Sequence, residues 1–377
     1  MTLDYGQIFP QMPRQVTLAD ITVRDGLQHE ERFISTKAKC YYLEQLVFAG
    51  LRNLEITNLG NTYLMPQFRD GKELLAYVRG ERFLKKCQKR GINPQDITWT
   101  AITIREKAVD AAIELKKQGL GPDRLLMMVS TEEQHHYINS GTTLPEYWKE
   151  AERCIQKAHD AGMTMCGTVS TIWGGPILGK TKLEDAFSFT KRWLDIGADT
   201  IEHADHDGSA SAPDVYRYFA EVLERFPDPK VHIAHFHETK RLGSANVLAA
   251  LQAGISHFEA TLGGIGGMPA NFVDDCPCGI GEYYFEDPRE VGLICLEDTL
   301  IQLDEMGISH GLDVERILAL GRQMEKTLGR RLRSGAVIHG RTAKNGHPQF
   351  ARAELPLRKQ QLGEASNQMF PREETVD

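Results

Sequence analysis

The chain has 377 residues, and its 44 Lys or Arg against 52 Asp or Glu give a formal net charge of −8. This acidic balance argues against a nucleic-acid or membrane-surface partner, and a content of 41% hydrophobic and 25% charged residues argues against a disordered chain. No apolar stretch approaches the roughly 20 residues of a membrane span, and the N-terminal residues show no targeting pattern. Five of the seven cysteines lie singly in apolar or helical segments, which favours a reducing compartment. We therefore expect a cytoplasmic enzyme.

Short β-branched runs alternate with longer amphipathic segments along the chain. The runs predicted as strands are Val16–Val23, Leu54–Thr57, Ile97–Thr103, Leu125–Ser130, Thr164–Thr171, Thr200–His203, Val231–Phe236 and Ser256–Thr261. The helices predicted to follow them are Ser35–Ala49, Gly71–Arg90, Arg105–Gln118, Leu144–Ala161, Leu183–Ile196, Pro213–Phe226, Ser244–Ala253 and Leu296–Met306. This alternation predicts parallel strands joined by crossover helices, and eight such units predict a (β/α)8 TIM barrel over residues 1–310.

Residues that commonly end helices lie at the boundaries of these units. Gly50, Gly162, Gly197 and Gly254 each follow a predicted helix directly, where glycine commonly ends a helix. After the barrel, residues 311–345 are predicted as a C-terminal helical extension, and residues 346–377 as a polar, flexible tail.

Polar side chains collect at the ends of the predicted strands, where TIM-barrel active sites lie. The first run ends in Arg24-Asp25, the second in Glu55 and the sixth in Asp205. Each of these residues taken singly is typical of an ion pair or a carboxylate at the edge of the core. Five of the eight strand ends carry such unusual polar residues, and together they favour an active site.

Two histidines on the seventh run point to a metal. His235 and His237 are two residues apart, so their side chains lie on the same face of a strand. With Asp25 they would offer two imidazoles and one carboxylate to a divalent ion. A structural histidine pair is the competing interpretation. The glycine-rich residues 263–267 lack the Lys-Ser/Thr of a nucleotide-binding loop, and we interpret them as a mobile lid.

Four blocks of sequence resemble the 3-hydroxy-3-methylglutaryl-CoA lyase family, within the wider group of metal-dependent barrel lyases and Claisen-type synthases. The first is RDGLQHE at residues 24–30, and the second is AGL at 49–51 with Glu55, Pro66-Gln67 and Asp70. The third is VSTIWGGPILGK at 169–180, and the fourth is HFHET at 235–239 with Ala245-Asn246 and GIGGMP at 264–269. The resemblance covers roughly residues 16–330, and its RDGLQ block favours lyases over synthases.

The resemblance implies a role for each matching residue. It implies Asp25, His235 and His237 as metal ligands and Arg24 as the group that stabilises an enolate. It also implies Glu55 and Asp205 as active-site carboxylates, with His235 able to relay a proton. The ion expected is Mg2+ or Mn2+, because a substrate would supply hard oxygens, while Zn2+ also suits histidine ligands.

Two positions depart from the family pattern. The lid cysteine of the family falls at Met268, whose thioether carries no proton, and the family's asparagine ligand falls near Gly292-Leu293. The candidate proton donors on the same loop are Cys276, Cys278, Tyr283 and Tyr284. These departures leave the substrate open.

The expected reaction is retro-Claisen cleavage of a 3-hydroxyacyl-CoA through an enolate. The alternatives are a Claisen-type synthase, a 2-oxo-acid aldolase without CoA, and a non-catalytic ligand-binding barrel. The expected partners are an acyl-CoA or a hydroxy or oxo acid, and further copies of the chain in a homo-oligomer. A basic cluster would either meet CoA phosphates or form a solvated helix face. Its members are Arg322, Lys326, Arg330, Arg331, Arg333 and Arg341.

Overall fold

The computed structural model describes residues 9–60, 65–267 and 290–341, and the backbone of three short strands between residues 271 and 283. Eight parallel strands close into a barrel in chain order, which confirms the predicted TIM barrel. They are β1 (Thr17–Asp20), β2 (Asn53–Asn58), β3 (Thr98–Ile102), β4 (Arg124–Ser130), β5 (Thr164–Ser170), β6 (Thr200–Asp205), β7 (His232–Phe236) and β8 (His257–Ala260).

Helices cover the outside of the barrel. In chain order they are α1 (Thr36–Phe48), α2 (Gly71–Arg79), α3 (Glu81–Gln88), α4 (Glu106–Lys117), α5 (Glu133–Ser140), α6 (Leu144–Asp160), α7 (Leu183–Asp195), α8 (Ala212–Arg225), α9 (Gly243–Ala253), α10 (Leu296–Met306), α11 (Val314–Leu328) and α12 (Gly335–His339). None of the helices in the described part of the chain combines the length and the apolar composition that a bilayer span requires.

Two apolar cores follow from the alternation of side chains along each strand. Inward-facing Ile102, Leu126, Cys166 and Ile233 form a small core inside the barrel. Outward-facing residues such as Leu54 pack with the helices in the larger core. This small apolar cluster shares the barrel interior with the buried carboxyl groups of Glu55 and Glu259.

The structure differs from the sequence prediction at several boundaries. The predicted helix Gly71–Arg90 is two helices, because Gly80 adopts an extended conformation with ψ of 149°. The first strand ends at Asp20, and residues Thr22–Gly26 form a π-helical turn. Helix α5 was not predicted, nor was an antiparallel sheet of three short strands, β9 (Asn271–Val273), β10 (Cys276–Cys278) and β11 (Glu282–Tyr283).

The segment after the barrel includes a helix that packs on its wall. Helix α11 contacts α1, where the Tyr42 hydroxyl lies 2.6 Å from Thr327 Oγ1. The chain divides into two compact units, Met1–Ile338 and His339–Asp377. The boundaries at 310 and 345 remain predictions.

A row of hydrogen bonds through two buried histidines on the outer face of the barrel predicts that the protein loses stability in acid. The Tyr218 hydroxyl lies 2.9 Å from His203 Nδ1, His203 Nε2 lies 3.0 Å from His232 Nδ1, and His232 Nε2 lies 2.9 Å from the Phe226 carbonyl. Burial lowers the pKa of both histidines below the usual 6.5. The unfolded chain therefore binds more protons than the folded chain once the pH falls below about 6.5.

We expect the free energy of unfolding to decrease as the pH falls from 6.5 to 5, by up to about 1.4 kcal/mol per pH unit for each histidine that resists protonation. Urea unfolding of the wild type and of His203→Phe at pH 8, 7, 6 and 5 measures the effect. The variant should start less stable, because it loses the hydrogen bonds of His203 to Tyr218 and His232, and should show the shallower pH dependence. Equal pH slopes in the two proteins would rule out this contribution of His203.

Candidate active site

Arg24 and Asp25 are placed by the π-helical turn that follows β1. The Asp20 carboxylate anchors this turn by accepting hydrogen bonds from Thr22 N at 3.0 Å and Thr22 Oγ1 at 2.8 Å. Arg24 then reaches two carboxylates, with Nη1 2.6 Å from Asp25 Oδ2 and Nε 2.5 Å from Glu55 Oε2. Burial alone would raise the pKa of Asp25, but Arg24 is the foremost of the neighbours that hold it well below its usual range. Asp25 is therefore an ionised, buried ligand candidate.

Asp25 is also fixed by the glycine-rich residues 263–267. Gly267 N donates to Asp25 Oδ1 at 2.9 Å, and Gly263 N donates to the buried carboxylate of Glu297. Gly266 has φ of +96°, and a Cβ there would lie 2.6 Å from the Asp25 carbonyl oxygen. All five residues are buried. In this structure the stretch is a buried support for the first turn, and its mobility as a lid stays a prediction.

His235 and His237 bring their rings together at the mouth of the barrel. His235 Nδ1 lies 2.8 Å from a Glu259 carboxylate oxygen, and His237 Nδ1 bonds to the His206 carbonyl oxygen. Both of these partners accept hydrogen bonds, so the network assigns the proton of each neutral ring to Nδ1. The two Nε2 atoms, 3.0 Å apart, then face each other as lone pairs.

This geometry fits a metal ion. Two lone pairs at that separation repel unless a proton or a cation lies between them. Burial, and next the neighbouring His235, lower the pKa of His237 to about 3, which favours the neutral ring that a metal needs. Ligand atoms of Asp25, His235 and His237 all lie within 4.8 Å of one another, and all three residues are buried. The structure thus brings together the three predicted ligands, called the trio below.

Glu55 is linked to Asp25 of the trio through Arg24. It is 3% exposed and points into the barrel from β2, where one oxygen receives the Arg24 hydrogen bond. Its other oxygen, Oε1, has no hydrogen-bond partner among the described residues. A buried carboxylate oxygen without a partner is costly unless a ligand uses it.

Asp205 is placed differently from the prediction. Side chains alternate along β6, and the alternation that points Glu202 into the barrel points Asp205 outward. Its carboxylate accepts hydrogen bonds from Ser209 N at 3.0 Å and Ala210 N at 3.2 Å. Burial, and then Asp207, raise its pKa to about 7. Asp205 therefore fixes the loop that carries His206, and no described contact joins its side chain to the trio.

Three polar side chains beside the trio were absent from the prediction. Glu202 and Glu259 flank His235, and burial raises the pKa of both. The His206 ring centroid lies 6.0 Å from that of His237 and 4.3 Å from that of His135. Glu202 and Glu259 each follow a helix-ending glycine, Gly197 or Gly254, by five residues, as Glu55 follows Gly50, so the signal was present in the sequence.

The two departures from the family pattern have different outcomes. Leu293 is fully buried and pairs through its backbone with His237, so its apolar side chain offers no ligand atom beside the trio. The side chains of the remaining lid residues, Met268, Cys276, Cys278, Tyr283 and Tyr284, lie outside the described residues.

Two members of the basic cluster form ion pairs. Arg330 lies 2.5 Å from Glu30, and Arg333 lies 3.5 Å from Glu290 while donating to the Val291 carbonyl. Both side chains therefore bind groups of the protein in this structure.

Comparisons with known proteins agree with the fold. The sequence profile of the HMGL-like family matches residues 15–324. An (R)-citramalyl-CoA lyase from Chloroflexus aurantiacus is 30% identical over 84% of this chain and 92% of its own length. A hydroxymethylglutaryl-CoA lyase from Bacillus subtilis is 25% identical over 85% of this chain and 96% of its own. An HMG-CoA lyase structure from Acinetobacter baumannii, in complex with coenzyme A and 3-methylmalate, superposes with a TM-score of 0.74 at 27% identity, covering 89% of this chain and 98% of that one.

Proposed function

The chain belongs to the HMGL-like family, and from this membership we propose that it is a carbon–carbon lyase that cleaves a 3-hydroxyacyl-CoA at a divalent-metal centre. The observation that carries the proposal is the pair of Nε2 lone pairs, 3.0 Å apart and beside an ionised Asp25. Relatives named as lyases of hydroxymethylglutaryl-CoA and citramalyl-CoA support the substrate class.

The trio would hold the ion. We propose Mg2+ or Mn2+, because the hydroxyl and carbonyl oxygens of a hydroxyacyl thioester are hard ligands, with Zn2+ the alternative that imidazoles also accept. Such an ion, when bound, lowers the pKa of a coordinated hydroxyl and stabilises negative charge on a neighbouring oxygen.

Arg24 would stabilise the enolate. Its guanidinium is held by Asp25 and Glu55 on one side of the trio, so its position is fixed before the substrate arrives. When the bond between C2 and C3 breaks, the electron pair moves to the thioester fragment and its oxygen becomes negative. A preorganised cation beside that oxygen favours this charge over the neutral ground state.

Proton transfer needs a base that removes the hydroxyl proton. Of the predicted bases, His235 has both ring nitrogens engaged once Nε2 faces an ion, and Asp205 is bonded to its own loop. Glu55 Oε1 is buried beside Arg24 without a partner among the described residues, so we assign the base role to Glu55. The proton removed from the hydroxyl leaves its electron pair to form the new carbonyl as the carbon–carbon bond breaks. Protonation of the enolate at C2 then gives the shorter CoA thioester. A cytoplasmic location and a homo-oligomer remain our predictions.

A product assay tests this function. Purified protein is incubated with hydroxymethylglutaryl-CoA or citramalyl-CoA, with Mg2+ or Mn2+ or after treatment with a chelator, and the products are identified by mass spectrometry. We expect a shorter CoA thioester and a carbonyl compound in equal amounts, formed only with metal. Product formation only in the condensing direction would identify a synthase, cleavage of 2-oxo acids without CoA an aldolase, and binding without turnover a non-catalytic barrel. Each of these results would contradict the proposal.

A further inference from the structure

The ring of His235 lies between two buried glutamates, one on each neighbouring strand. Strand β7 pairs with β6 on one side and with β8 on the other. Glu259, on β8, places Oε2 2.8 Å from His235 Nδ1, and Glu202, on β6, places Oε1 4.0 Å from the same nitrogen. Both carboxyl groups therefore lie on the Nδ1 side of the ring, which is turned away from His237 and Asp25.

Burying these two glutamates lowers the stability of the folded chain. Glu202 is 3% exposed and Glu259 is 5% exposed, and Glu202 Oε2 has no hydrogen-bond partner among the described residues. Burying two neighbouring carboxyl groups in a barrel interior is unfavourable for folding, and burial raises the pKa of both. The catalytic steps proposed above use neither of them, so their placement calls for a different explanation.

The hydrogen-bond partners of His235 and His237 explain why a carboxyl group lies behind His235. His237 is fixed by a backbone carbonyl, that of His206, which no side-chain substitution removes. Within the described part of the chain, His235 has no such backbone partner, and its Nδ1–H is held by Glu259 instead. A carboxylate behind a ligating histidine fixes both the tautomer and the orientation of the ring.

We propose that Glu259 is a positioning residue that holds His235 as the Nδ1–H tautomer, so that the Nε2 lone pair faces His237 and Asp25. This inference rests on the proposed metal centre. Without Glu259 the ring is free to move its proton to Nε2 or to rotate, and either change removes one ligand atom from the trio.

Metal affinity gives the first test. Mn2+ is titrated into the wild type, Glu259→Leu, Glu259→Gln and the control Glu44→Gln, and free Mn2+ is followed by electron paramagnetic resonance. Glu44 is 6% exposed but lies on α1, outside the barrel. We expect Glu259→Leu to bind Mn2+ about 10- to 100-fold more weakly. Glu259→Gln keeps an acceptor oxygen and should lose less, and the control should bind as the wild type does. Wild-type affinity in a folded Glu259→Leu protein would overturn the proposal.

The ring tautomer gives a second test that needs no metal. The protein is labelled with 15N-histidine, and its long-range 1H–15N spectrum is recorded without metal, with His235 identified by its loss in His235→Asn. We expect His235 to keep the Nδ1 proton in the wild type and to lose part of it in Glu259→Gln, whose amide can also donate to Nδ1. An unchanged tautomer in Glu259→Gln would overturn the positioning role, even if Glu259→Leu does not fold. Failure of the wild type to bind Mn2+ would instead count against the metal centre, while this spectrum would still decide the role of Glu259.

Discussion

Replacing Arg24 with methionine is expected to lower kcat by about 100- to 1000-fold while leaving KM nearly unchanged. Methionine keeps much of the length of the side chain but removes the cation that stabilises the enolate, and loss of one such donor typically costs this much. The interaction with negative charge develops only as the carbon–carbon bond breaks, so the loss should appear in kcat and kcat/KM alike.

Steady-state kinetics on the best thioester from the product assay measures this effect. Arg32→Met is a suitable control, because Arg32 lies eight residues further along the chain, where it donates to the Thr327 carbonyl at the outer surface. The control should keep the kcat of the wild type. A change confined to KM in Arg24→Met would show that Arg24 binds the substrate without stabilising the transition state.

His237→Ala is expected to abolish both stoichiometric binding of a divalent ion and cleavage, with the fold retained. The substitution removes one of the three ligand atoms and leaves the ion with two, too few for stable binding at micromolar metal. The barrel core lies below this residue, and His237 itself follows the end of β7, so little packing is lost.

Metal content after dialysis, measured by plasma mass spectrometry beside a circular dichroism spectrum, checks this expectation. His159→Ala serves as the control, because His159 pairs with Asp199 at 2.9 Å on the exposed outer surface. A His237→Ala protein that retains a full equivalent of metal would mean that the ion binds elsewhere.

The fold follows from local patterns in the sequence. Alternation of β-branched runs and amphipathic segments predicted all eight barrel strands, and glycines in positive φ end the helices where they were predicted, as at Gly50 with φ of 110° and Gly254 with φ of 109°. Such signals lie within a few residues of the feature they specify. The split of one helix at Gly80 was missed because a glycine within a helical pattern does not show which conformation it adopts.

The site was predicted less completely, because its geometry depends on contacts between distant segments. Asp25 meets the two histidines only when the barrel closes; their places at strand ends grouped the three residues, and the resemblance then implied their roles. Asp205 was assigned to the mouth because it ends a strand, but the inner face of β6 belongs to Glu202. The glycine-rich stretch was interpreted as mobile because composition does not show that Gly267 N would bond to Asp25.

Anomalous diffraction from crystals soaked in Mn2+ tests the central claim most directly. We predict a single strong Mn2+ peak within about 2.0–2.4 Å of an Asp25 carboxylate oxygen and of the Nε2 atoms of His235 and His237. A hydroxyacyl-CoA analogue soaked with the ion should place its hydroxyl oxygen within bonding distance of the same peak. A peak at another site, or no peak at the trio while the protein still cleaves the thioester, would contradict the account.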